Sequence, residues 1–261
     1  MRLPIFQVNA FTDKIFSGNP AAVCPLEHWL SDAVMQHIAT ENAVAETAFF
    51  ISRNDGFEIR WFTPEIEMDL CGHATLATAH VIARHLHYHQ SSITFRSQSG
   101  DLVVTVEENL LTLNLPSRKP IPSQIPQIIL DAIAVEPAAI LKARDYVLVF
   151  EDEDIIRQLE PKRSLFDQIN LDPGGVVVTA PGKETDFVSR FFTPQASIFE
   201  DPVTGSSHCS LIPYWSERLG KESMLAMQLS ARGGKLYCKN VGDRVLISGK
   251  AVTYLEGQIT V

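Results

Sequence analysis

The residue best placed to move a proton in this 261-residue chain is a carboxyl set in an otherwise apolar stretch. Glu46 lies in Ala43-Val44-Ala45-Glu46-Thr47-Ala48-Phe49-Phe50-Ile51, and strand alternation puts its side chain on the face of Val44, Ala48 and Phe50. Loss of hydration disfavours the charged form and moves the pKa toward neutrality, where one carboxyl both accepts and donates a proton. A glutamate at a sheet edge, or one paired with a base, is the alternative. His73 follows Gly72 at the start of an apolar run, where an imidazole can donate to a ligand carboxylate or relay a proton near neutral pH. Asp201, in Glu200-Asp201-Pro202-Val203-Thr204-Gly205-Ser206-Ser207-His208, stands a short loop before a second glycine-led helix start, within reach of a ligand amine or hydroxyl. Turn formation or capping is its alternative role. The first amides of a helix lack internal partners and carry partial positive charge, so Gly72-His73-Ala74 and Gly205-Ser206-Ser207 are two candidate grips for a carboxylate or phosphate.

These two starts belong to a repeat. Phe57-Glu58-Ile59-Arg60-Trp61-Phe62-Thr63-Pro64 returns as Phe187-Val188-Ser189-Arg190-Phe191-Phe192-Thr193-Pro194, and Leu70-Cys71-Gly72-His73 returns as Val203-Thr204-Gly205-Ser206. The offset is 130 residues at Arg60/Arg190 and 133 at Gly72/Gly205, so register is kept through small insertions. Duplicated lobes pack about a pseudo-twofold axis with a cleft between them, where both helix starts would meet one small anionic ligand. The copies differ in chemistry at Glu46/Val176, Cys71/Thr204 and His73/Ser206, and Asp201 falls in an insertion.

Aromatic and β-branched runs at 3–10, 21–24, 43–51, 57–62, 92–97, 101–107 and 110–115 read as strands, and 31–40 as a capped amphipathic helix. From Gly72 to His85 the residues are small and apolar nearly all round, the pattern of a helix enclosed by other structure. The second half repeats this with strands at 175–180, 187–192, 225–231, 236–239, 244–248 and 252–261 and a helix from about Gly205. Pro213, some two turns into that helix, is expected to kink or split it. The fold class is therefore α+β: two pseudo-symmetric lobes, each a curved, mostly antiparallel sheet around a central helix. The lobes read as 1–116 and 127–261, with 117–126 as a proline-rich linker and the terminal strand able to cross to the first lobe.

Composition narrows the partners. With 45% hydrophobic residues, a net charge of −9 and no long Lys/Arg cluster, the chain lacks the basic face that nucleic acid demands. No stretch reaches the ~18 apolar residues of a membrane span and no cleavable leader is evident, so a soluble cytoplasmic protein is the expectation. Cys24, Cys71, Cys209 and Cys238 form no C-x-x-C pair, which argues for reduced thiols and against a zinc site. His85-Leu86-His87-Tyr88-His89 invites a metal reading, but histidines at a helix C-terminus also complement its dipole, and no metal is expected.

The blocks Ser17-Gly18-Asn19-Pro20-Ala21-Ala22-Val23, Glu46-Thr47-Ala48-Phe49, Arg60-Trp61-Phe62-Thr63-Pro64, Cys71-Gly72-His73-Ala74-Thr75-Leu76-Ala77 and Glu200-Asp201-Pro202-Val203-Thr204-Gly205-Ser206 resemble, in order and along essentially the whole chain, the PhzF-like family of phenazine-biosynthesis isomerases. The resemblance implies a diaminopimelate-epimerase-like fold, commonly a homodimer, and isomerisation of a small carboxylate metabolite by proton transfer without a cofactor. It implies that Glu46 shuttles the proton and that His73 and Asp201 assist and hold the substrate. Asn19, Gly72, Ala74, Thr204, Gly205, Ser206 and Ser207 complete the expected substrate-binding set. Epimerases similar in fold use two opposed cysteines; here Cys71 faces Thr204, which is no thiol base. A single-thiol epimerase using Cys71, or a protein that binds a metabolite without turnover, are the alternatives.

Overall fold

The computed structural model describes residues 1–171 and 174–261, in two compact units. One comprises Met1–Leu115 with Ile247–Val261, the other Pro116–Leu246. The first unit contains β1 (Arg2–Ala10), β2 (Asn19–Leu26), α1 (Asp32–Asn42), β3 (Glu46–Arg53), β4 (Gly56–Phe62), the two-residue β5 (Glu67–Met68), α2 (Gly72–Arg84), β6 (Ser92–Ser97), β7 (Gly100–Glu107) and β8 (Leu110–Pro116). Pairing is antiparallel for β1/β2, β3/β4, β4/β5, β6/β7 and β7/β8, and parallel for β2/β3 and β4/β6.

The second unit contains β9 (Ile121–Pro122), α3 (Gln127–Ile133), β10 (Ala139–Lys142), β11 (Tyr146–Val149), α4 (Glu153–Gln158), α5 (Arg163–Phe166), β12 (Val176–Pro181), β13 (Phe187–Phe192), β14 (Glu200–Asp201), α6 (His208–Leu219), β15 (Ser223–Gln228) and β16 (Gly234–Asn240). The chain then runs through β17 (Arg244–Gly249) to β18 (Ala251–Thr260), which pairs antiparallel with β1. The repeat seen in sequence is a repeat of pairings: β10/β11 antiparallel, β11/β12 parallel, β12/β13 and β13/β14 antiparallel, β13/β15 parallel and β15/β16 antiparallel. Each unit thus carries the α+β plan of a curved, mostly antiparallel sheet around a helix. Within the stretch read as linker, Ile121 and Pro122 form β9 against Leu141 and Lys142, a two-residue edge pairing short enough to tolerate the missing donor.

α2 is the central helix of the first unit. Only His80, Ala83 and Arg84 of its thirteen residues escape full burial, and it packs on β1, β2, β3, β7 and β18. Its alanines let strands approach on every side, while the Thr75 and Thr78 hydroxyls donate back to the carbonyls of Cys71 and Ala74 at 2.5 and 2.7 Å, so no hydroxyl is buried unpaired there. On the other face of the sheet α1, capped by Ser31, lays Met35, Ile38 and Ala39 against Phe49, Ile51 and Phe62.

Two expectations are corrected. Residues 43–45 are not strand: Ala43 closes α1 in the left-handed conformation (φ 50°), which breaks the alternation, and Val44 packs with the α1-side cluster rather than on the face of Glu46. In the second unit α6 begins at His208, three residues after Gly205, and runs through Pro213 without splitting. Pro213 lacks the N–H that would bond the Cys209 carbonyl. That carbonyl accepts instead from the Arg118 N–H at 2.8 Å, so the deficit is filled from outside the helix.

Candidate active site

β3 and α2 bring the first unit's chemistry together. Glu46 opens β3, where it pairs in parallel register with Ala21 of β2, and its side chain is 16% exposed. His73 is the second residue of α2 and is 5% exposed; its Nε2 lies 3.0 Å from Glu46 Oε2. Neither atom has another polar partner among the described residues. On the opposite side of the ring, Nδ1 lies 3.6 Å from Cys71 Sγ. The imidazole therefore sits between a thiol and a carboxyl. Apolar shelter alone does not describe Glu46, since its nearest polar neighbour is a buried base.

The charges follow from this crowding. Burial pushes the Cys71 thiol up and the Glu46 carboxylate pushes it further, against a smaller pull from His73, so sulfur stays a neutral thiol. Burial opposes the charged form of His73, but the Cys71 sulfur and the Glu46 carboxyl on either side of the ring outweigh it and hold the imidazole well above its ordinary 6.5. Among the described residues, Glu46, Cys71 and His73 alone gather three metal-ligand types, their donor atoms within 4.8 Å of one another. Thiol and carboxyl approach different ring nitrogens, an arrangement suited to passing a proton rather than closing on one ion. Of the histidines after α2, His85 is engaged elsewhere: its Nε2 meets the Thr253 hydroxyl at 2.8 Å and its Nδ1 lies 3.3 Å from Glu256.

The second unit holds its own set. Asp201, in β14, accepts from the Thr204 hydroxyl at 2.5 Å. Thr204 is in turn fixed by Gln228, whose side chain accepts from the Thr204 N–H at 2.9 Å and donates to the Asp201 carbonyl at 2.7 Å. Ser207 donates to the Thr204 carbonyl at 2.9 Å, and His208 Nδ1 lies 2.8 Å from the same oxygen. Thr204 and Ser207 are thus buried and bound to the loop itself, whereas Ser206 keeps part of its surface open and accepts from Arg144 at 2.9 Å. Asn19 is buried at the head of β2, and Gly72 and Ala74 are buried in the first turn of α2.

Sequence reasoning had no signal for Gln228 or Arg144, which reach this loop from 24 and 62 residues away. The repeated arginine also gains a role. Arg60 forks onto Glu67 at 2.6 and 2.7 Å, and Arg190 forks onto Glu200 at 2.7 and 2.9 Å while donating to the Ile156 and Leu159 carbonyls. Each clamps the two-residue strand that leads into a helix start.

The duplicated α+β scaffold, with a helix enclosed in each sheet, is that of an epimerase-type fold. A hydroxyproline epimerase from Agrobacterium vitis shares it at a TM-score of 0.61 and 9% identity, over 99% of this chain and 92% of that one, a likeness of fold alone. The chain belongs to the family of phenazine biosynthesis-like proteins, whose PhzC-PhzF model matches residues 8–257, as the five sequence blocks implied. It is 47% identical over 259 residues, 99% of each chain, to a Pseudomonas aeruginosa protein named as an uncharacterized isomerase. A PhzF-family crystal structure from Enterococcus faecalis matches at a TM-score of 0.95 and 43% identity, over 100% of both chains.

Proposed function

We propose that this protein is a cofactor-independent isomerase that moves a proton on a small carboxylic acid. The observation that carries the reading is the 3.0 Å pair of Glu46 and His73 at the head of α2, in a chain whose relatives are named isomerases. Glu46, as carboxylate, takes a proton from carbon next to a carbonyl-like or unsaturated group, becoming the neutral acid. It then returns that proton to another carbon on the same face, so that a double bond migrates and nothing else is consumed. The His73 imidazolium offsets the negative charge that develops in between. Asp201 binds a substrate amine or hydroxyl, with Thr204 and Gln228 holding it in place.

The test is exchange of carbon-bound protons in heavy water, screened over cyclic and amino carboxylic acids. Glu46→Gln should keep the fold and ligand binding and lose exchange by at least about a hundredfold; retained exchange removes Glu46 from the role. A thiol base at Cys71 is disfavoured because burial keeps its sulfur protonated and Thr204 holds the equivalent place in the second unit. Cys71→Ser should accordingly retain exchange within about tenfold, and a loss like that of Glu46→Gln would favour the thiol instead.

A further inference from the structure

In the first unit, parallel pairing of β2 with β3 sets Ala21 opposite Glu46; in the second, parallel pairing of β11 with β12 sets Tyr146 opposite Val176. Two residues before these partners stand Asn19 and Arg144, so Arg144 occupies the place that Asn19 holds in the first copy. The helix-start equivalence agrees, since Ser206, which Arg144 touches, is the counterpart of His73.

The guanidinium is held rigidly. Asp145, whose side chain is 1% exposed, takes Arg144 Nε at 3.1 Å and Nη2 at 2.9 Å, and its Oδ1 also accepts the Gly175 N–H at 3.0 Å. Arg144 itself is 29% exposed, and its Nη1 has no partner among the described residues. A buried carboxylate thus fixes one edge of the fork, leaving the other edge open beside a half-buried serine hydroxyl. The surroundings are positive. Burial pushes the Cys209 thiol up to about 11, while the charges of Arg118, Arg144 and Arg244 all pull it down. Three guanidinium groups against one aspartate, Asp145, act on that thiol, a local excess in a chain of net charge −9.

We propose that Arg144 and Ser206 form a carboxylate-binding subsite of the second unit, and that Arg144 is a substrate-binding residue. A planar guanidinium with a free edge matches a carboxylate in two parallel hydrogen bonds, and the adjacent hydroxyl supplies a third donor. That a carboxylate binds there stands on the geometry; that it is the substrate's rests on the isomerase reading above.

Benzoate is the probe, with benzamide as its neutral counterpart, and the readout is the Arg144 Nε–H resonance together with titration calorimetry. The wild-type protein should bind benzoate with a shift of that resonance and should ignore benzamide. Arg144→Gln and Ser206→Ala should weaken binding, the former by about tenfold or more. Because Arg144→Gln strands the buried Asp145 charge and could unfold the unit, Arg144→Lys is the second variant. It keeps the charge without the fork and should also lose about tenfold. Benzoate affinity equal in wild type and folded Arg144→Lys, or no shift at Arg144 in the wild type, overturns the subsite. Glu46→Gln separates the two readings: it should bind benzoate normally while failing to exchange protons. Binding that depends on Arg144 in a protein that exchanges no substrate proton would keep the subsite and discard the isomerase.

Discussion

His208 is built to stay neutral, and acid should therefore unfold the second unit early. Its Nδ1 lies 2.8 Å from the Thr204 carbonyl and so donates to it, while Nε2 is buried without a partner among the described residues and the ring packs near Phe187. A proton on Nε2 would place a charge where no described residue accepts it, and burial pulls the pKa down to about 4 from 6.5. With the folded pKa depressed, the unfolded chain binds the proton more readily, so stability is present above about pH 6.5 and lost as pH falls toward 4. From pH 7 to pH 5 the linkage relation gives a loss of about 2 kcal/mol from this one group. The perturbation is His208→Asn, in which an amide can still donate to Thr204 but cannot titrate. Urea unfolding at the two pH values, localised by hydrogen exchange in α6, is the assay. Any cavity cost of the substitution applies at both pH values and cancels. The variant should lose about 2 kcal/mol less than wild type on acidification, and equal losses would refute the claim that His208 is the buried proton acceptor.

Other outcomes follow from the same inventory. Arg190→Met should cost about 3 kcal/mol, because the partly buried Glu200 and the carbonyls of Ile156 and Leu159 lose their donor together; restoring stability with a second change, Glu200→Gln, would identify the stranded charge as the cause. His73 has the opposite sign to His208. Its folded pKa is raised, so its contribution is fully present below about pH 6.5 and lost as pH rises through the folded value. Unfolding measured at acid and alkaline pH should show wild type losing its advantage over His73→Phe as the solution becomes alkaline.

The duplication made much of the fold legible, because two copies of one pattern name their own equivalences. Glu46 and His73 were visible for a local reason: a carboxyl among apolar residues and an imidazole beside a helix-start glycine are both anomalies within a few residues. Their 3.0 Å contact was not, since it joins β3 to α2 across 27 positions. Residues 127–174 gave no pattern, and the reason is length. β10 and β11 have four residues each, α5 has four and α4 six, too few for either period to declare itself. Gln228 escaped because a buried amide on a strand looks like any polar strand residue until its partners, Thr204 and Asp201, are in place.

The two units use one plan differently at the positions on which the proposed one-sided chemistry rests. Both keep the arginine clamp, Arg60 on Glu67 and Arg190 on Glu200, so both hold the strand and the loop before the helix in the same way. They part at the groups that clamp positions. In the first unit the helix-start side chain, His73, meets the strand-start carboxyl of Glu46. In the second the strand-start residue is Val176, fully buried and without a proton to give, and the helix-start Ser206 turns to Arg144 instead. Arginine stays protonated at any working pH and cannot serve as a base, so the second copy offers a fixed charge where the first offers a carboxyl and an imidazole. A racemase needs proton carriers of similar kind on both faces of its carbon. With a carboxyl–imidazole pair at these positions of one unit and a valine and a serine at those of the other, the duplicated plan supplies one proton carrier, in keeping with the removal and return proposed for Glu46.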